Sequence, residues 1–284
     1  MPSRPDRVKA KIVIERIQRA SDSRLAAYCR VRDGELLRAR GVFVAEGRLV
    51  VKRVLEDPRF CVQSLLVNEA ALTDLARELD LDSPGAPIYV CDAEQMREIT
   101  GYDVHRGCLA IVERPPAVTL DALLRAATGT IVVLEGVGNA DNVGGVFRNA
   151  AAFGASGVVL SPTCCDPLYR KAIRTSMGAA LRVAFARAQA WPGALTALRA
   201  AGFTLVALTP REPSETLDEF ASRARAAARH PRLAILAGTE GAGLTSAVES
   251  AADTRVRIPI SLEIDSLNVA VAVGIALHAL GGRM

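Results

Sequence analysis

Short apolar runs punctuate the second half of this chain, and amphipathic stretches separate them. The runs at 130–134, 157–160, 204–208, 233–237 and 255–258 read as strands, with a further short one near Val183. The first four of these are apolar nearly throughout, rather than alternating, which suits strands covered on both faces. The segments at about 142–153, 168–173, 191–200, 244–251 and 266–280 carry helical spacing. This alternation predicts an α/β domain built on a parallel sheet, and such sheets bind ligands beyond the carboxyl ends of their strands. The first half alternates on a smaller scale. Strands are expected at Val42–Ala45, 62–67, 88–90 and 108–112, with helices over 47–56, over 69–79 and from an Asp92 cap through Ile99. The chain up to about residue 40 reads as helical with a basic face. Pro115-Pro116 fits neither a strand core nor a helix interior. Residues 1–113 are therefore expected to form one domain, 114–118 a linker, and 119–284 a second domain.

Three loops in the second half follow predicted strands and carry polar chemistry. The first is Asn139-Ala140-Asp141-Asn142-Val143-Gly144-Gly145-Val146-Phe147-Arg148-Asn149. Asp141 and Asn142 are suitable helix caps. Arg148 falls three and four residues past the two glycines, so its guanidinium would lie over uncovered backbone near a helix start. That arrangement suits a phosphate or carboxylate. Close packing at the glycines and a solvated arginine explain the same residues. The second loop, Gly238-Thr239-Glu240-Gly241-Ala242-Gly243, has the order G-x-x-G-x-G rather than the dinucleotide G-x-G-x-x-G, and it lies late in the chain. Glu240 there is either a positioning group or a solvated carboxylate. The third runs from Ile258 to Ser266-Leu267-Asn268 and enters a helix that is apolar nearly all round, as in a buried helix. Ser266 looks like its N-cap.

Composition narrows the class. Half of the residues are hydrophobic, enough for a substantial core. The longest apolar candidate, Leu267 to Leu280, is too short for a membrane span and contains His278. No apolar signal core follows the N-terminus, so a cytoplasmic protein is expected. The six cysteines form no C-x-x-C pair and the three histidines are scattered, so no metal site is expected. The cysteines read as small buried hydrophobes, with Cys164-Cys165 in a loop open to exposure. Charge is uneven: residues 1–60 hold 15 Lys/Arg and 8 Asp/Glu, and the rest hold 20 and 23. The basic excess, which includes Arg24, Arg30, Arg32, Arg38, Arg40, Arg48, Arg53 and Arg59, favours a polyphosphate partner at the front.

The three loops together, Asn139–Gly154 (NADNVGGVFRNAAAFG), Leu236–Leu244 (LAGTEGAGL) and Ile258–Ala272 (IPISLEIDSLNVAVA), resemble the SpoU-type (TrmH-type) RNA ribose 2′-O-methyltransferases of the SPOUT superfamily. Arg170–Ala179 resembles the segment between the first two motifs. Phe43–Gly47 and His105–Ala110 resemble the substrate-binding domain of many members, itself similar to an RNA-binding ribosomal-protein fold. The resemblance implies a parallel-sheet SPOUT domain with a C-terminal trefoil knot behind a small α/β RNA-binding domain. It implies S-adenosyl-L-methionine as cofactor, held by Gly238, Ile258 and Leu267 with Thr209 nearby, and a homodimer. Arg148, Asn142, Glu240, Ser266 and Asn268 map onto the catalytic positions. A guanidinium does not normally deprotonate in a protein, so Arg148 is expected to clamp an RNA phosphate rather than act as base. The other four are expected to orient the ribose, Arg148 and the motif loops. The segment Ile260–Asp265 lacks the glycine that members often carry there. Rival readings are a non-catalytic RNA- or ribosome-binding factor with a degenerate methyltransferase domain, and a nicotinamide enzyme.

Overall fold

A computed structural model describes residues 13–29, 33–79, 85–226, 232–261 and 263–280. The basic residues at positions 1–12, Arg30 and Arg32, and Leu262 of the third loop, lie outside the described residues. Two compact units emerge: Met1–Pro116 together with Leu168–Arg174, and Ala117–Pro167 together with Thr175–Met284.

The first unit contains β1 (Ile14–Arg16), α1 (Asp33–Glu35), β2 (Val42–Glu46), α2 (Arg48–Glu56), β3 (Val62–Val67), α3 (Glu69–Glu78), β4 (Ile88–Val90), α4 (Ala93–Thr100) and β5 (Cys108–Glu113). Its sheet has the order β1-β4-β3-β5-β2. β1, β4 and β3 run parallel, while β5 is antiparallel to both β3 and β2. Local chemistry starts its helices cleanly. The Asn68 side chain accepts from the Ala71 N–H at the head of α3, and Asp92 and Gln95 form a reciprocal capping box on α4. The core gathers Tyr28, Leu25, Val44, Leu66, Leu109 and Ile111.

The expectation of a helical front is corrected here. Ile14 and Ile17 stand three apart, a helical interval, but β1 is extended beside β4. Ile88 N–H donates to Val13 O at 3.0 Å and Ile17 N–H to Val90 O at 2.8 Å. Satisfying an open sheet edge outweighs a weak local period. The helical pieces come later, at Ser23–Leu25 and Asp33–Arg40, the latter ending as a π-helical turn.

The second unit opens with α5 (Leu120–Ala126), capped by the Thr119 hydroxyl. It continues with β6 (Ile131–Leu134), α6 (Ala140–Ala152), β7 (Gly157–Leu160), α7 (Arg170–Thr175, to Arg174 in the first unit), β8 (Phe185–Arg187) and α8 (Ala194–Ala200). Then follow β9 (Phe203–Leu208), β10 (Glu215–Thr216), α9 (Leu217–Ala226), β11 (Arg232–Ala237), α10 (Ser246–Ala251), β12 (Thr254–Arg257) and α11 (Val269–Leu280). All seven strands are parallel, in the order β10-β12-β9-β11-β6-β7-β8. The expected strands are present, the one near Val183 appearing as β8. The pair β10–α9 and helix α5 were not anticipated: β10 is too short to show a period, and α9 is polar on most of its surface. Buried Ile131, Val133, Leu205, Ala207, Ala234 and Leu236 pack with Leu195, Leu198 and Val248 from the covering helices. The order places β12, β9, β11 and β6 side by side, so the loops leaving their carboxyl ends converge.

No helix among the described residues is long and apolar enough to cross a membrane.

Candidate functional site

The loops after β9, β11 and β12 enclose a cavity of about 420 Å³. Thr209, Gly238, Ile258 and Leu267 all line it, as do Glu240 and Ser266. The wall at Gly238 is tight. A Cβ there would meet the Gly243 carbonyl carbon at 2.1 Å and the Leu244 nitrogen at 2.3 Å. Those atoms are backbone and cannot swing aside, so only glycine fits. The loop closes on itself through Gly243 N–H to Thr239 O at 2.9 Å, with Gly241 and Gly243 both at positive φ.

Thr209 roots the second wall. Its hydroxyl donates to Glu249 Oε1 at 2.9 Å and accepts from the Arg211 N–H at 3.2 Å. Arg211 reaches the same Glu249 oxygen at 3.2 Å and donates to Ala242 O at 2.9 Å and Leu244 O at 3.4 Å. It therefore bridges the Thr209 loop to the glycine loop. A buried carboxylate is affordable only with such partners. Beneath the glycine loop, buried Glu135 at the end of β6 accepts from the Trp191 indole at 2.7 Å and from the Thr245 N–H and hydroxyl at 2.8 and 2.9 Å. Sequence reasoning assigned none of Arg211, Glu249 and Glu135. Arg211 and Glu135 follow β9 and β6 outside the three polar motifs, and Glu249 is one helix carboxylate among many.

Beside the cavity one amide joins the three motifs. Asn268 Nδ2 donates to Asn142 Oδ1 at 2.9 Å and to Glu240 Oε1 at 2.6 Å. Its Oδ1 accepts from the Ala270 and Val271 N–H groups at 2.9 and 3.3 Å. Asn268 is thus the cap of α11, not Ser266, which lies on the cavity wall two residues before that cap. The first motif is corrected in the same way. Asn139 caps α6 by accepting from the Asp141 N–H at 2.8 Å, so Asp141 and Asn142 fall inside the first turn. Asp141 there accepts from the Thr175 hydroxyl at 2.9 Å. Asn142 is buried, which makes its bond to Asn268 obligatory.

Arg148 stands apart from the cavity lining. It is exposed on α6, and among the described residues its guanidinium has no ion-pair or hydrogen-bond partner. The bare face of Gly145 is not left for it: a Cβ there would come within 2.7 Å of Ala270 Cβ, so this glycine lets α6 and α11 approach. Asn149 Nδ2 donates to Ala270 O at 2.6 Å across the same contact.

The cysteines take no part in this chemistry. Cys91, Cys108, Cys164 and Cys165 are buried, and Cys29 is exposed. Burial pushes the Cys91 thiol up to about 11 and Cys108 to about 12. Cys164-Cys165 is therefore not an exposed loop pair. Cys164 Sγ donates to Leu134 O, and the loop that carries both is held by Arg187, which donates to Ser161, Pro162 and Cys164 carbonyls. Among the described residues no group of three or more His, Cys, Asp or Glu is placed to hold a metal ion.

Comparison with known proteins adds independent findings. Residues 129–278 match the SpoU rRNA Methylase family. The chain is 43% identical over 244 residues to an uncharacterized tRNA/rRNA methyltransferase of Mycobacterium tuberculosis (strain ATCC 25618 / H37Rv), covering 86% of this chain and 82% of the relative. It is 30% identical over 198 residues to the 23S rRNA (guanosine-2′-O-)-methyltransferase RlmB of a Burkholderia species, covering 69% and 77%. Among solved structures, the AdoMet-bound rRNA methyltransferase from Sinorhizobium meliloti superposes with a TM-score of 0.76 at 23% identity, over 94% of this chain and 97% of that one. An RNA 2′-O ribose methyltransferase superposes with a TM-score of 0.73 at 23% identity, over 95% and 97%. At these identities the structural likeness speaks for a shared fold.

Proposed function

This chain belongs to the SpoU rRNA methylase family, and from that premise we propose that it transfers a methyl group from S-adenosylmethionine to a ribose 2′-hydroxyl of ribosomal or transfer RNA. The observation that carries this reading is the join between cavity and polar cluster. The loops that enclose the cavity also deliver Glu240 and Asn268, and Asn268 ties Glu240 to Asn142 on the first motif.

The residues present fit the cofactor. The missing side chain at Gly238 lets the glycine loop fold back on itself and so shapes the wall on which a cofactor would lie. Glu240, Glu249 and Asp265 stand against Arg211 on the wall, an excess of negative charge that favours a sulfonium cation. When bound, that cofactor supplies the electrophilic methyl. The protein's part is alignment, because an in-line displacement gains chiefly from holding nucleophile and carbon in one geometry. Asn268 locks Asn142 and Glu240, and Arg148, with no partner among the described residues to compete, grips the phosphate beside the reacting ribose. A cation there stabilises the charge that develops on the 2′-oxygen. The first unit and its basic leading segment recruit the RNA.

Two further features belong to this reading. The loops at 238–244 and 258–268 are the segments that would thread the trefoil knot of the SPOUT fold. A homodimer would cover the apolar outer face of α11.

The test pairs calorimetry with S-adenosylmethionine and ribose-methylation mapping of total RNA with and without the gene. Cofactor binding and one lost methylation site are expected. A chain that binds RNA but no cofactor would instead be a non-catalytic RNA-binding factor.

A further inference from the structure

The first unit carries a concavity of its own, about 410 Å³, whose lining includes Arg48, Asn68, Asp74, Arg97, Asp103 and Arg106. Two of the three guanidinium groups are already matched. Arg48 pairs with Asp74, and Arg97 lies 3.5 Å from Asp103. Arg106 is exposed at the rim and has no partner among the described residues. Its backbone is unusual: φ 57 and ψ 23 put it in the left-handed region, which residues with a side chain rarely occupy.

The surroundings hold it there. Gly107 is also left-handed, and a Cβ on it would stand 2.1 Å from Asn68 Nδ2. Asn68 N–H donates to Gly107 O at 2.9 Å, and Gly107 N–H to Val104 O at 3.2 Å. Asn68 Oδ1 is spent on the Ala71 N–H, which leaves its amide N–H groups at the cleft. Strain maintained by neighbours in this way is characteristic of binding sites.

We infer that this cleft receives a single unstacked nucleotide of an RNA strand, with the phosphate on Arg106. The inference rests on the reading of the chain as an RNA methyltransferase and deepens it by locating an anchor for the substrate. A concavity of this size admits one nucleotide and excludes a duplex. Its walls offer donors and acceptors together, as a base edge requires, and their near-neutral pairs leave Arg106 as the surplus cation for phosphate. RNA sequence is read chiefly at such unstacked positions.

The test uses the full chain and fluorescence anisotropy with a labelled 12-nucleotide single-stranded RNA and the blunt duplex of the same sequence. The single strand should bind more tightly. Arg106→Gly should weaken that binding roughly tenfold and lower the salt slope by about one. Glycine accepts the left-handed backbone, so the variant's Tm should not fall. Arg106→Ala should lose as much affinity as Arg106→Gly, because both remove the guanidinium. Wild-type affinity in Arg106→Gly, or equal binding of duplex and single strand, overturns the inference. Calorimetry with S-adenosylmethionine on the same proteins separates the two readings: an absent cofactor signal in the wild type tells against methyl transfer and leaves the anisotropy result to judge the cleft.

Discussion

At the scale of single residues, the site divides into groups that hold shape and one that waits for a ligand. Asn268 caps a helix and bridges two other polar groups, so every hydrogen-bonding direction of its amide is committed. Arg148 is the opposite case, exposed and without an internal partner among the described residues. Arg148→Ala should abolish methyl transfer while the calorimetric affinity for S-adenosylmethionine stays within about twofold, because the cavity lining does not include it. Near-normal turnover in a radiolabelled methyl-transfer assay would remove Arg148 from the proposed role. Gly238 should behave in the reverse manner. The methyl of Gly238→Ala has to displace the backbone of Gly243 and Leu244. Cofactor affinity should fall by roughly tenfold or more, a loss of at least ~1.4 kcal/mol, and circular dichroism should still report the parallel-sheet fold. Unchanged affinity would mean that the loop has more slack than its contacts suggest.

At the scale of elements, the apolar runs announced the parallel sheet because β6, β7, β9 and β11 are buried on both faces. Elements without such runs were illegible. β1 and β10 are short edge strands whose partners are distant in sequence, and α9 is mostly polar. The candidate site was legible in part for the same reason. Glycine and asparagine at strand ends are visible in one dimension. The pairing of Arg211 with Glu249, 38 residues on, and of Glu135 with Thr245, 110 residues on, arises only when the strands lie side by side. The start of α6 shows how a correct motif conceals a structural cause. Gly145 reads from sequence as backbone bared for an anion, yet its missing side chain is what lets Ala270 of α11 approach. Gly145→Val should therefore strain the α6–α11 contact and destabilise the fold by about 1–3 kcal/mol, read as a lowered Tm. It should also weaken methyl transfer, because Asn142 and Asn268 ride on these two helices. A Tm equal to the wild type would return Gly145 to the anion-binding explanation.

At the scale of the whole molecule, the outward side of α11 has no counterpart within the described chain. Its inward side buries Val269, Val273, Ala276 and Leu277. Val271 and Ile275, one helical turn apart, are 50% and 38% exposed, and Phe153 at the end of α6 is 38% exposed against His278. Scattered apolar residues on a surface need no explanation, but neighbours along one helix stripe mark a contact surface. The proposed homodimer covers this stripe, and it would place the helix that carries the Asn268 cap at the interface. Val271→Asp tests it with little risk to the monomer, since the side chain points away from the core. Burying an unpaired carboxylate in an apolar interface costs several kcal/mol, roughly enough to raise a dissociation constant a hundredfold or more. Light scattering at micromolar concentration should then give the monomer mass for Val271→Asp and twice that mass for the wild type, with closely similar melting of the secondary structure. If the variant keeps the wild-type mass, this stripe is not where two copies meet.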